Sequence, residues 1–148
     1  MSEDVKAWVN RPEDYLWTVD NNIVTAFPVA YQDLYEMIKS TLKVLHAGVT
    51  VAELKGKDCI PGHSLAMSTR RCEDCFPVAN LTYEQAIAYL RKEAVVLDAG
   101  VPRGYVLVAY QDVPLGFVKN IGNRANNLYP QEWRIRSGYL PENLKMVF

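Results

Sequence analysis

A chain of 148 residues is long enough for one ordinary domain or for two small domains packed together. Hydrophobic residues make up 49% of the chain and charged residues 22%, which allows a buried core and excludes disorder of the chain as a whole. The net charge of −1 excludes a histone-like protein but leaves room for a local basic surface.

The pattern of the amino-terminal residues does not predict an export signal. The sequence MSEDVKAWVNRPEDYLW lacks both the basic start and the apolar run of a signal peptide. No stretch approaches the roughly 20 apolar residues that span a bilayer, so we expect no membrane association. We therefore predict a cytoplasmic protein, and we assign the acidic residues 1–21 as a lead-in segment.

The first half of the chain predicts one helix between two strands. Residues 23–27 and 49–54 have strand patterns. Four apolar residues recur every three to four positions and predict a helix over 30–47: Leu34, Ile38, Leu42 and Leu45. Gly48 fits the end of that helix. Residues 22–79 are thus expected to form a small α/β domain.

The irregular region 58–79, with a short helical turn expected at 64–68, contains all three cysteines. Together with one histidine these could supply four ligands to zinc: Cys59, His63, Cys72 and Cys75. However, a single C-x-x-C is a weak zinc signal, and the acids between its two cysteines raise thiol pKa and disfavour redox catalysis. We therefore predict reduced cysteines in a loop, no cofactor and no metal, with a small zinc protein as an alternative.

The second half predicts one helix followed by strands. Thr82 begins a Thr-Tyr-Glu-Gln capping box, and the inward side of the following helix is expected to carry Ala86, Ile87, Leu90 and Ala94. Strands are predicted at 94–97, 104–110 and 115–120. Strands at this spacing are typical of a small curved sheet or barrel.

Familiar catalytic patterns are absent from the sequence. It contains neither a G-x-G-x-x-G motif after a strand nor a G-x-x-x-x-G-K-[ST] motif. The two histidines, His46 and His63, fit no known triad pattern. We therefore expect no catalysis from this chain alone.

The segment 115–137, LGFVKNIGNRANNLYPQEWRIRS, is locally basic. Four cations oppose the single acid Glu132: Lys119, Arg124, Arg134 and Arg136. If residues 134–136 formed a strand, both arginines would lie on one face and could contact phosphate. Tyr129 and Trp133 could stack on bases, although a core position is the preferred interpretation for both.

This segment resembles the C-terminal signature of RsmF-like RNA 5-methylcytosine methyltransferases of the Sun family. The matching residues are Gly116, Lys119, Gly122, Asn123, Arg124, Asn127, Tyr129, Pro130 and Arg134. Residues 48–68 resemble the small domain between the catalytic and PUA-like parts of those proteins. The resemblance implies an α+β fold, in which a small helix-plus-strand subdomain (22–79) precedes a PUA-like β-barrel with one main helix (80–148).

The catalytic part of the family is missing from this chain. Members attack the base with a cysteine in a Pro-Cys context, whereas Cys59, Cys72 and Cys75 follow Asp, Arg and Asp. S-adenosylmethionine is thus expected only for a separate catalytic domain, joined in cis or acting in trans. The chain would be either an excised C-terminal region or a stand-alone relative.

The resemblance implies an RNA-binding module that positions substrate for a ribosomal-RNA cytosine methyltransferase. The candidate RNA-binding residues are Lys119, Asn123, Arg124, Asn127, Tyr129, Arg134 and Arg136, with Lys55 and Lys57 on an adjacent turn. The alternative is a protein-interaction module in which the arginines and aromatic residues form the interface.

Overall fold

A computed structural model of the protein describes residues 3–33, 36–37 and 48–136. The helices are α1 (Glu3–Lys6), α2 (His63–Met67) and α3 (Tyr83–Leu90). The strands are β1 (Tyr15–Asp20), β2 (Ile23–Pro28), β3 (Val49–Lys55), β4 (Asp58–Pro61), β5 (Val78–Asn80), β6 (Gly104–Tyr110), β7 (Val113–Asn120) and β8 (Ala125–Asn127). Short 3₁₀ turns lie at Pro12–Asp14, Val29–Tyr31 and Gln131–Trp133.

The first sheet contains β1 to β4 in sequential antiparallel order. Strands β2 and β3 and the turn at Gly56 confirm the sequence predictions, whereas β1 was not anticipated within the lead-in segment. The helix predicted over 30–47 lies mostly outside the described residues. The domain boundaries drawn from the sequence remain a prediction.

The second sheet has the order β5-β6-β7-β8, in which β5 runs parallel to β6 and the other pairs are antiparallel. Strands β6 and β7 confirm the predictions for 104–110 and 115–120. The strand predicted at 94–97 is wrong, because only a single bridge from Val95 to Ala125 forms there. The short strand β8 was missed. Together with the helices, the two sheets confirm the α+β class.

Helix α3 begins as its sequence predicts. The Thr82 hydroxyl accepts a hydrogen bond from the Gln85 backbone, and the Gln85 side chain accepts one from the Thr82 backbone. The buried side of the helix differs from the prediction: Ala86 is buried, but Ala94 lies beyond the helix end and is exposed. Instead Tyr89 is fully buried and donates a hydrogen bond to the Phe117 carbonyl.

The second sheet is the middle layer of the structure. On one face, Leu107 and Phe117 pack against the first sheet and α2. On the other face, Val106, Val108 and Val118 pack beneath α3. The alternation from Val106 to Val108 and from Phe117 to Val118 follows from the two-residue period of strands.

The expectation of reduced cysteines is wrong for two of the three. Cys72 and Cys75 form a disulfide, with Cα atoms 5.6 Å apart, and Cys59 is free. The loop brings the two Cα atoms within the range that a disulfide requires. The same loop holds the amino-terminal segment, since the Cys72 backbone donates to the Trp8 carbonyl.

Candidate nucleic-acid interface

A three-residue contact joins the two sheets at one end of the molecule. The Nζ of Lys119 on β7 lies 3.0 Å from Oδ2 of Asp58 on β4, and the Tyr105 hydroxyl donates to the same oxygen at 2.6 Å. The Lys119 ammonium also lies 5.4 Å from the centre of the Tyr105 ring. The hydrogen bonds from Tyr105 and Lys119 lower the pKa of Asp58, and burial followed by the bond to Asp58 raises the pKa of Tyr105.

The β3–β4 hairpin adds two cations beside this contact. Lys55 lies opposite Asp58 in the strand register, and Lys57 immediately precedes Asp58. Both lysines are exposed, and Gly56 between them has a left-handed φ of 61°. The tight turn therefore places both lysines beside Asp58, the ion-pair partner of Lys119.

Strand β8 and the turn before it place further polar side chains near Lys119, on the β8 side of β7. Asn126 lies opposite Lys119, and the buried Ala125 lies on the other face of the strand. A turn closed by a hydrogen bond from Ile121 N to Arg124 O exposes Asn123 and Arg124. Register thus places these polar side chains at the same end of the sheet as Lys119.

Arg103 joins this end of the sheet and was missed from the sequence. It precedes Gly104, which pairs with Asn120, so it lies beside the 121–124 turn. Its guanidinium lies across Gly122, whose φ is 107°; a Cβ there would be 3.0 Å from Nη2 of Arg103. Nothing in the local sequence VPRG indicates this contact, because it depends on the neighbouring strand. We call the set Lys55, Lys57, Arg103, Lys119 and Arg124 the basic surface.

Asn127, another predicted RNA contact, is used inside the fold. Its Nδ2 donates to the carbonyls of Tyr89 at 2.7 Å and Glu93 at 2.9 Å, at the carboxyl end of α3. Its Oδ1 accepts from the Tyr129 backbone at 2.8 Å. Because both polar atoms of the Asn127 side chain are hydrogen-bonded to the backbone, Asn127 stabilises the connection between α3 and the segment after β8.

The aromatic residues of the carboxyl-terminal segment contact His63. Tyr129 is half-buried, with ring centres 5.5 Å from Tyr89 and 5.4 Å from His63. Trp133 lies 5.3 Å from His63 but is 61% exposed, so the core position preferred from the sequence is wrong for Trp133. Burial lowers the pKa of His63, and its buried Nδ1 has no hydrogen-bond partner among the described residues.

Arg134 and Arg136 do not lie on a strand, so the condition under which both would share one face is not met. They follow the 3₁₀ turn Gln131–Trp133, and Ile135 between them donates its backbone N–H to the Leu90 carbonyl at 2.8 Å. Leu90 ends α3, which covers the opposite face of the second sheet from Lys119. The cations predicted as one patch therefore fall in two regions: the basic surface and the end of α3.

The described residues include no group of three or more histidine, cysteine, aspartate or glutamate side chains placed to hold a metal. The four zinc ligands considered from the sequence are thus not brought together there. In the same part of the chain, no helix has the length and apolar character needed to cross a membrane.

Comparison with known proteins defines the class of the second sheet and its helix as a PUA domain. The family described as "Methyltransferase RsmF PUA domain" matches residues 76–135, which contain strands β5 to β8 and helix α3. The predicted resemblance to an RsmF-like C-terminal region is confirmed.

Proteins named "Ribosomal RNA small subunit methyltransferase F" are also similar to this chain, some over most of its length and others over a shorter part. The protein of Klebsiella pneumoniae (strain 342) is 29% identical over 125 residues, covering 84% of this chain and 24% of the relative. The protein of Escherichia coli O157:H7 (strain EC4115 / EHEC) is 31% identical over 127 residues, covering 84% and 25%. That of Shewanella sp. (strain MR-4) is 39% identical over 56 residues, covering 37% and 12%. The chain spans about a quarter of the length of the first two of these relatives.

Proposed function

We propose that this chain is an RNA-binding module that positions ribosomal RNA for a cytosine methyltransferase in the cytoplasm. The observation that carries the proposal is the basic surface at one end of a PUA domain whose relatives are named ribosomal RNA methyltransferases. Five cations lie on the strands and turns at this end, and one of them, Lys119, forms an ion pair with Asp58.

The basic surface suits the RNA backbone. Lysine and arginine gain affinity by releasing the counterions condensed on phosphates, and an arginine fork can contact two phosphate oxygens. The exposed amides of Asn123 and Asn126 can donate and accept hydrogen bonds, which suits base edges and the 2′-hydroxyl. Phosphate contacts of this kind fix the register of the RNA and carry little sequence information.

The module orients the RNA, and a separate catalytic domain performs the methyl transfer. That domain, joined in cis or acting in trans, would hold S-adenosylmethionine. Within the described residues, the turn from the parallel strand β5 into α3 does not fit that cofactor: it contains no glycine, and the capping box already uses amides at the start of α3. Positioning is thus the role assigned to this chain.

The test compares two double charge reversals with the same effect on net charge. Lys57→Glu with Arg124→Glu alters the basic surface. Arg11→Glu with Arg70→Glu alters two exposed arginines outside that set, of which Arg11 pairs only with the exposed neighbours Glu13 and Asp14 among the described residues. The first variant should bind a structured ribosomal RNA fragment at least about tenfold more weakly than the second. The reason is that RNA binding responds to the electrostatic potential at the contact surface and not to the net charge of the protein. Equal losses in the two variants would contradict the proposal. A protein-interaction module would instead lose its partner on Trp133→Ala and tolerate both reversals.

A further inference from the structure

We propose that Trp133, supported by His63, is a stacking site for one unpaired nucleobase of the bound RNA. This inference rests on the proposed function and adds a second contact, separate from the basic surface. It names the chemistry recognised, which is the flat face of a base in single-stranded RNA.

Trp133 differs from the other two tryptophans in its exposure. Trp8 is half-buried and packs on Phe76 at 5.1 Å, and Trp17 is half-buried and donates its indole N–H to the Pro12 carbonyl. Trp133 is 61% exposed, and an indole covered on both faces could not reach that exposure. At least one face of the Trp133 ring is therefore open to solvent.

The exposed indole is held by its surroundings. Trp133 N donates to the Pro130 carbonyl at 3.1 Å, and Ile135 N donates to the Leu90 carbonyl, so the backbone is fixed on both sides. The His63 ring contacts Trp133 at 5.3 Å with an interplanar angle of 74°. Because His63 and its ring partner Tyr129 are themselves packed, a base would bind a platform that is already ordered, at a small entropic cost.

The charges beside the platform favour a polyanionic ligand. Arg134 and Arg136 follow directly, and the described part of the chain provides neither with an ion pair. The nearby acid, Glu132, has Lys92 as an electrostatic partner. A base on Trp133 would therefore have cations within reach of its flanking phosphates. The base must be unpaired, because the faces of paired bases are covered by stacking within a helix.

The test measures the binding of two RNA probes to the native protein and to Trp133→Ala, with Trp133→Phe and Trp133→Leu as further variants. The probes are a short oligoadenylate and an abasic ribose-phosphate chain of the same length, which carry the same charge. Trp133→Ala should weaken oligoadenylate binding by about 5- to 150-fold, the range for loss of one aromatic stack. It should leave binding of the abasic chain unchanged. Trp133→Phe should retain most of the affinity, and Trp133→Leu, which keeps apolar bulk, should not.

Fluorescence provides a second readout. Stacking should quench the indole emission of the native protein on adding oligoadenylate, and Trp133→Phe should remove that response while Trp8 and Trp17 remain. Equal losses for the two probes, or no loss, would overturn the stacking site. Salt-dependent RNA binding without preference for intact bases would overturn this inference alone. Absence of salt-dependent binding to any RNA would overturn the proposed function as well.

Discussion

Lys119 and Asp58, 61 residues apart in the chain, form an ion pair of 3.0 Å between the two sheets. Both side chains are 42% exposed, so the pair contributes about 0–1 kcal/mol to stability. Its larger consequence is electrostatic, because the Asp58 carboxylate neutralises one cation of the basic surface. The pair thus reduces the positive charge that this end of the molecule presents to RNA phosphates.

Replacing Asp58 should therefore strengthen RNA binding. In Asp58→Asn the amide oxygen can still accept from Tyr105, while Lys119 loses its ion pair and becomes available to phosphate. We expect severalfold tighter binding in a fluorescence-anisotropy titration, with stability changed by less than about 1 kcal/mol. Asp74→Asn, an equal charge change in an exposed loop, is the control and should have a smaller effect. Unchanged affinity in Asp58→Asn would place Lys119 outside the RNA contact.

The burial of His63 should make stability depend on pH. Burial holds its pKa in the folded protein below the ordinary value of 6.5. Above pH 6.5 the ring is neutral in both states, so the folded state has no disadvantage. As the pH falls from 6.5 towards the folded-state pKa, the unfolded chain binds the proton first and stability is lost.

Urea denaturation between pH 7.5 and 5 measures this dependence, and His63→Gln is the comparison because the other ionisable groups remain. The native protein should lose stability more steeply than His63→Gln as the pH decreases. Parallel curves for the two proteins would show that the His63 imidazole is not desolvated by its contacts with Tyr129 and Trp133.

Gly116 should tolerate no side chain. It is buried with φ of 155°, and a Cβ would collide with the Tyr89 hydroxyl and lie 3.1 Å from Nδ1 of His63. Because Tyr89 is fully buried and bound to the Phe117 carbonyl, it has little room to move. We expect Gly116→Ala to cost about 1–3 kcal/mol in thermal or urea unfolding.

Gly100→Ala is the matched control for that substitution. A Cβ at Gly100 would meet no atom within 4 Å, so the change should be neutral or stabilise by up to about 1 kcal/mol. Comparable losses in the two variants would mean that the contact with Tyr89 does not restrict Gly116.

Substitutions of the neighbouring residues Asn126 and Asn127 should have different effects, one on RNA binding and the other on stability. Asn127→Ala removes two hydrogen bonds to carbonyls at the end of α3 and should destabilise the protein by about 1–3 kcal/mol. Asn126→Ala removes an exposed side chain opposite Lys119 and should weaken RNA binding with little effect on stability. Denaturation and RNA titration of both variants would measure this. The reverse pattern would contradict the assigned roles.

The sequence was informative where local chemistry determines the structure. The capping box at Thr82 and Gln85 predicted the start of α3, and strand patterns in the sequence predicted β3, β6 and β7. The strand predicted at 94–97 failed because an apolar run does not require a partner strand, and only Val95 forms a bridge.

The candidate site was less predictable because its contacts are long-range. The pairing of Lys119 with Asp58 and the placement of Arg103 over Gly122 depend on how strands from distant segments align. Asn127 carries the same amide as Asn126, yet the strand register directs one into the fold and the other to solvent. The exposure of Trp133 likewise follows from a 3₁₀ turn, which has no strong sequence signal.

The most direct test of RNA binding through a cationic surface is the affinity of this chain for a structured ribosomal RNA fragment across a range of salt concentrations. With about three to four phosphates contacted, the logarithm of the association constant should fall linearly with the logarithm of salt concentration, with a slope of roughly −2 to −4. An affinity that stays flat from low to moderate salt would contradict the account.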